Sequence, residues 1–201
     1  MIDEGYVKFD CEWILGPAPD GIDELVQVRN RLYAMGLVGI YESVGIGYGN
    51  FSQRIAGTNQ FVISGTATGG ISTADARHFC VVQHSDIARN HVTCEGPVAA
   101  SSESLTHAML YACAPAIQAV LHVHHRKFWD YLLATVPCTS EGVAYGTPGM
   151  AMEMKRLLLE SGNPATAIFA MKGHEEGIIA FGPSLEMAFC KIEEEFEKIF
   201  G

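Results

Sequence analysis

Where apolar side chains recur every second residue the chain predicts strands, and where they recur every three to four residues it predicts helices. Residues 1–19 show neither period and end in Gly16-Pro17-Ala18-Pro19, which predicts an extended arm running into a turn. Asp20 can cap the next segment, a helix to about Gly36 whose apolar face is Ile22, Leu25, Val26, Val28, Leu32 and Tyr33. A glycine-rich run, Gly45-Ile-Gly-Tyr-Gly, then leads through Asn50 into a short alternating strand. Gln60–Ser64 and Phe79–Gln83 read as further strands, and a polar connection follows to about Val98. Ser101 and Ser102 open a helix that buries Leu105, Met109 and Leu110. Gln118–His124 is a strand, Phe128–Leu133 a short helix, and Pro148–Glu160 a longer one with Met150, Met154, Leu157 and Leu158 inward. Two strands, Ala165–Ala170 and Gly177–Gly182, and an amphipathic helix from Pro183 to Phe200 complete the chain. The division expected is an arm over 1–19 and one domain over 20–201.

Composition narrows the classes this pattern can serve. A chain of 201 residues with 48% hydrophobic and 18% charged residues can bury a sizeable core, and it has no apolar run long enough to span a bilayer. A net charge of -10, with Lys and Arg scattered, repels phosphate backbones and argues against nucleic acid as a partner. A small molecule fits better. The six cysteines include no C-x-x-C pair and lie within apolar patterns, as small reduced hydrophobes do. The first residues lack a basic and then apolar leader, so the expected compartment is the cytoplasm.

The strand at Gln118–His124 changes the picture. Side chains at i and i+2 share a face of a strand, so His122 and His124 project together from an apolar run. Neutral imidazole is a common metal ligand, and a His-x-His pair completed by a distant third His leaves a divalent ion with a position open to substrate. His174, in the tight connection between the last two strands, can supply that third ligand. Two segments have the chemistry of anion sites. The glycines before Asn50 permit close approach of backbone N–H groups, and Ser64-Gly65 ends a strand in a run of small polar residues. Ser101 and Ser102 either cap their helix or hold a phosphate at its N-terminus, and Glu103 either compensates the dipole or serves beside a metal as ligand or base.

The ordered set Gly49-Asn50-x-Ser52, Ser64-Gly65, Ser101-Ser102-Glu103-x-x-x-His107, His122-x-His124 and Gly173-His174 resembles the class II aldolase/adducin family over roughly residues 21–200. The resemblance implies an α/β fold with a central, mainly antiparallel sheet flanked by helices, and a homotetramer with sites between subunits. It implies that Asn50, Ser64, Gly65, Ser101 and Ser102 hold a phosphate, that His122, His124 and His174 bind zinc or a similar divalent ion, and that Glu103 is the acid/base. The activity implied is that of a metal-dependent lyase acting on a small phosphorylated ketose or related sugar acid through a metal-stabilised enediolate. Decarboxylase and epimerase members share that chemistry, and adducin-like members are non-catalytic modules. Two features depart from the family pattern. Glu175 and Glu176 separate His174 from Gly177, so either His174 sits on a bulge or one of these acids replaces it as ligand. The segment 137–147 is short where sugar-phosphate aldolases carry a tyrosine for the neighbouring site, a place Tyr145 can fill.

Overall fold

The computed structural model describes residues 6–201, so the first five residues of the expected arm lie outside the described residues. Among the described residues, ten strands and five α-helices follow in the order β1 (Asp10–Leu15), α1 (Asp23–Ala34), β2 (Gly39–Tyr41), β3 (Ile46–Tyr48), β4 (Asn50–Arg54), β5 (Phe61–Ser64), β6 (Phe79–Asp86), β7 (His91–Gly96), α2 (Ser104–Cys113), β8 (Ala119–His124), α3 (Arg126–Thr135), α4 (Pro148–Glu160), β9 (Ala167–Ala170), β10 (Gly177–Gly182) and α5 (Leu185–Phe200). Eight strands form one sheet in the order β1-β7-β6-β5-β4-β8-β10-β9, and β2 and β3 form a separate hairpin. Every neighbouring pair in the large sheet is antiparallel except β1 with β7. The expected α/β architecture with a mainly antiparallel sheet is therefore the observed one.

Strand alternation divides the core into two layers, because successive side chains leave a strand on opposite faces. Ala119, Leu121 and Val123 of β8 join Phe51 of β4, Ile178 and Ala180 of β10 and the inner faces of α1, α3 and α5. Val120 points the other way, with Ile179 and Phe181 of β10, into a layer closed by α2 and α4. Full burial of a Leu or Phe side chain is worth about 1.5–3 kcal/mol, so the two layers pin the register of β8 strongly. A shift by one residue would put both histidines into the opposite apolar layer. In the observed register His122 lies opposite Asn50 on one side and Ile179 on the other, and His124 lies opposite Gly177.

Some local expectations need correction. The first helix begins at Asp23 rather than after an Asp20 cap, and its N-cap, Ile22, makes no side-chain capping bond. The connection expected from about residue 84 to Val98 contains β7. Val92 and Cys94 are fully buried while His91, Thr93 and Glu95 face outward, so the strand alternates, although polar residues dominate its composition. The extended arm is partly β1, docked on β7 in parallel register from Asp10–His91 to Leu15–Gly96. Among the described residues, no helix is long and apolar enough to cross a membrane, and all six cysteines are free thiols.

Candidate active site

The face of the sheet that receives Val120 carries Asn50, Ser52, His122 and His124 where the two layers meet the end of β8. His122 and His124 are 1% and 2% exposed, a costly place for two imidazoles unless each nitrogen has a task. His122 Nδ1 lies 3.0 Å from the carbonyl oxygen of Ile178, to which it donates. The Tyr41 hydroxyl donates to Glu176 Oε2 at 2.8 Å and stands 3.2 Å from His124 Nδ1. Both Nδ1 atoms thus face acceptor oxygens, and the two Nε2 atoms face each other at 2.9 Å. With both Nδ1 atoms protonated, two lone pairs meet at that distance, which calls for a cation between them. Burial, reinforced by the neighbouring histidines, holds both rings well below the ordinary histidine range, so they are neutral at pH 7.

His174 completes the cluster, with ring centroids 5.0 Å from His122 and 4.7 Å from His124. One ligand atom from each of the three rings can be chosen so that all lie within 4.8 Å of one another, which makes the triad a candidate metal site. In the tight connection from Met171 to Gly177, His174 and the two acids that follow it point in different directions. His174 turns inward and is 3% exposed. Glu175 turns outward to Arg126, and Glu176, in a left-handed backbone conformation with φ of 66°, reaches Tyr41. Tyr145, 3% exposed, stacks on His174 at 4.5 Å and closes that side of the cluster.

Glu103 is 1% exposed at the N-cap of α2 and does not cap the helix with its side chain. One carboxylate oxygen accepts from Thr106 Oγ1, and the other stands 3.7 Å from His174 Nδ1. The expected acid/base and the three expected ligands are therefore neighbours in space.

Beside them is a small polar cleft lined by Gly47, Gly49 and Asn50, by the loop Gly65–Gly69, and by Ser101, Ser102 and Glu103. The N-terminus of α2 opens on it, so backbone N–H groups and the helix dipole favour an anion there. Each expected binding residue is in or beside this cleft, although the roles differ. Ser64 accepts from the Phe51 N–H at 3.1 Å and so braces β4. The Gly65 N–H is spent on the His78 carbonyl at 2.8 Å, and a Cβ at Gly65 would meet Val98 Cγ2 at 2.3 Å, so this glycine contributes shape. Asn50 Oδ1 is buried without a hydrogen-bond partner among the described residues.

Several supporting residues escaped the sequence reading. Arg29 is 2% exposed and donates from Nη2 to the Thr68 and Gly69 carbonyls, both at 3.0 Å, which buries a positive charge behind the cleft loop. It lies on a helix face that reads only as packing. Tyr41 and Tyr48 belong to the β2–β3 hairpin, with Tyr48 5.4 Å from the His124 ring. Ser52 and His107, motif residues without an assigned task, prove to be structural, since Ser52 Oγ lies 2.7 Å from both His107 Nδ1 and Tyr111 Oη. Complete burial lowers the His107 pKa to about 3.

Comparison with known proteins agrees with this architecture. The L-fuculose-1-phosphate aldolase of Thermus thermophilus superposes with a TM-score of 0.61 at 20% identity, covering 88% of this chain and 90% of that one. A sugar-phosphate aldolase of Thermotoga maritima gives 0.68 at 15% identity, covering 88% and 90%. YgbL of Klebsiella pneumoniae, whose assignment spans aldolase, epimerase and decarboxylase, gives 0.62 at 19% identity, covering 89% and 87%. At these identities the likeness establishes the fold, and no curated protein matches the sequence. The family model for the class II aldolase and adducin N-terminal domain, however, matches residues 24–199, nearly the whole chain, and the protein therefore belongs to the class II aldolase/adducin family.

Proposed function

We propose that the protein is a metal-dependent lyase of the aldolase type, acting on a small phosphorylated ketose or related sugar acid. The observation that carries this reading is adjacency. Three buried imidazoles with converging ligand atoms, a buried carboxylate 3.7 Å from one of them, and a cleft at a helix N-terminus share one end of the sheet. His122, His124 and His174 would hold the ion, zinc or a similar divalent metal, and the paired Nε2 atoms fit it. When bound, such an ion supplies Lewis-acid stabilisation for negative charge developing on a carbonyl oxygen as a neighbouring bond breaks. Asn50, Ser101 and Ser102 would orient the phosphate, with Ser64 and Gly65 fixing the walls around it. Glu103 takes a proton from the substrate in one direction and returns it in the other. Tyr41, Tyr48 and Tyr145 screen the histidines from water.

Decarboxylation and epimerisation develop the same charge beside a carbonyl and are the nearest alternatives. A non-catalytic, adducin-like role leaves the buried triad and Glu103 without a use that would offset their desolvation. We further propose a homotetramer with sites at subunit boundaries, in keeping with the family and with the prevalence of closed symmetry. Light scattering that gives a monomer at micromolar concentration counts against that assembly.

The deciding experiment is a screen of metal-loaded protein against phosphorylated ketoses and sugar acids, with aldehyde, carbon dioxide and epimer measured separately. Aldehyde release that disappears on chelation and returns with metal supports the lyase. Carbon dioxide or epimer alone moves the assignment to the corresponding alternative, and no metal uptake with no turnover supports a binding module.

A further inference from the structure

We infer that Tyr41 and Glu176 form a positioning relay that fixes the tautomer and aim of His124, an inference that rests on the metal-site reading above. A carboxylate can only accept, so the single hydroxyl hydrogen of Tyr41 is committed to Glu176 Oε2 at 2.8 Å. The Tyr41 oxygen then accepts from His124 Nδ1, 3.2 Å away, and Nε2 is left as the lone-pair nitrogen aimed at His122 Nε2, 2.9 Å away. Polarisation runs from carboxylate through phenol to imidazole, which raises the donor strength of Nε2. His122 is oriented by a backbone carbonyl, that of Ile178, which no side-chain substitution removes. His124 instead meets a side chain, that of Tyr41, with Glu176 behind it.

The backbone supplies a second argument. Glu176 has φ of 66°, a left-handed conformation that glycine adopts without strain and that is unfavourable for a residue with a Cβ. The chain nevertheless places an acid there, within the turn that brings His174 to the site. The Glu176 carbonyl accepts from the His125 N–H at 3.3 Å, which ties the same turn to the residue after His124. Glu175, one position earlier, points to Arg126 on the surface and is the internal control.

The test is titration of metal-free, full-length protein with Co2+, followed by its visible absorption spectrum and by competition with a chromophoric chelator. Partners that orient a ligating histidine typically contribute 10–100-fold to metal affinity. Tyr41→Phe is therefore expected to bind Co2+ 10–100-fold more weakly with an altered spectrum, while Glu175→Gln keeps the wild-type affinity. Glu176→Gly separates the relay from a structural role. Relief of the left-handed strain favours folding of this variant, so weakened Co2+ binding by a protein that melts no earlier than wild type supports the relay. The double variant is expected to bind no more weakly than the weaker single variant, because both interrupt one chain. Wild-type affinity and spectrum in both Tyr41→Phe and Glu176→Gly overturn the relay and leave the metal site standing. Wild-type protein that takes up no Co2+ overturns both.

Discussion

The two halves of the site are built on opposite principles. In the histidine half, function rests on side-chain atoms delivered by rigid elements, with His122 and His124 fixed by β8 and each aimed by a named acceptor, and His174 delivered by a tight turn. In the cleft half, much rests on atoms that are missing. A Cβ at Gly65 would strike Val98, one at Gly69 would lie 2.6 Å from the Gly39 carbonyl oxygen, and the loop is held from behind by Arg29. The first half should fail when atoms are removed and the second when they are added.

The largest effect is expected from emptying the histidine half. His122→Ala with His124→Ala should abolish metal uptake by elemental analysis and reduce turnover by about ten-thousand-fold or more, since the electrostatic stabilisation it supports is usually the largest catalytic contribution. Full activity in a metal-free double variant would remove the basis for the metal reading. Glu103→Gln comes next. It should retain metal and fold and lose about a hundred-fold in turnover, the usual range for a general acid/base. If Glu103 only compensates the α2 dipole, the loss is about 0.3–1 kcal/mol of stability with turnover nearly intact.

The cleft half is sharpened by addition. Gly65→Ala forces a methyl against a stiff valine and the Ala99 carbonyl, a type of overpacking that costs about 1–3 kcal/mol. Its expected signature is a lower melting temperature and a raised KM for a phosphorylated substrate, with metal content unchanged. A rise in KM shared equally by a non-phosphorylated analogue would place the damage outside the anion cleft.

The smallest effect concerns the support beneath both halves. Burial depresses His107 to about 3, well below its unfolded value near 6.5, so its contribution to stability is fully present above about pH 6.5 and is lost as pH falls toward 3. Across that window each pH unit removes about 1.4 kcal/mol for this one group, because the unfolded chain binds a proton the native state refuses. Denaturant melts at pH 6, 5 and 4 should show a wild-type slope that contains this share beside those of the other buried histidines, and a slope smaller by about 1.4 kcal/mol per pH unit in His107→Gln. Identical slopes would mean that His107 is protonated in place.

These contrasts also explain what could be read from the residues alone. Period-two patterning placed His122 and His124 on one face, and the motif order grouped Glu103, His174, Asn50, Ser101 and Ser102 near them, because those relations are local or carried by the family pattern. Arg29, Tyr41 and Glu176 were not legible. Arg29 meets its carbonyl partners 39 and 40 residues away, and Tyr41 meets Glu176 across 135, distances over which no periodicity carries information. The strand β7 was hidden for a different reason. One apolar side chain per repeat suffices where only one face is buried, and Val92 and Cys94 were the whole signal.

The parallel docking of β1 has a consequence for how the molecule assembles. Strand β7 meets β6 through a short turn, whereas β1 meets β7 across 81 residues, with a far larger loop to close before any pairing is gained. The β6–β7 hairpin must exist first to offer an edge. On a ribosome, Asp10–Leu15 emerges before its template, with Trp13 about half and Leu15 largely exposed even after docking. Although β1 precedes β7 in the chain, it can be placed only after β7, and until then that edge of the sheet is open to mispairing.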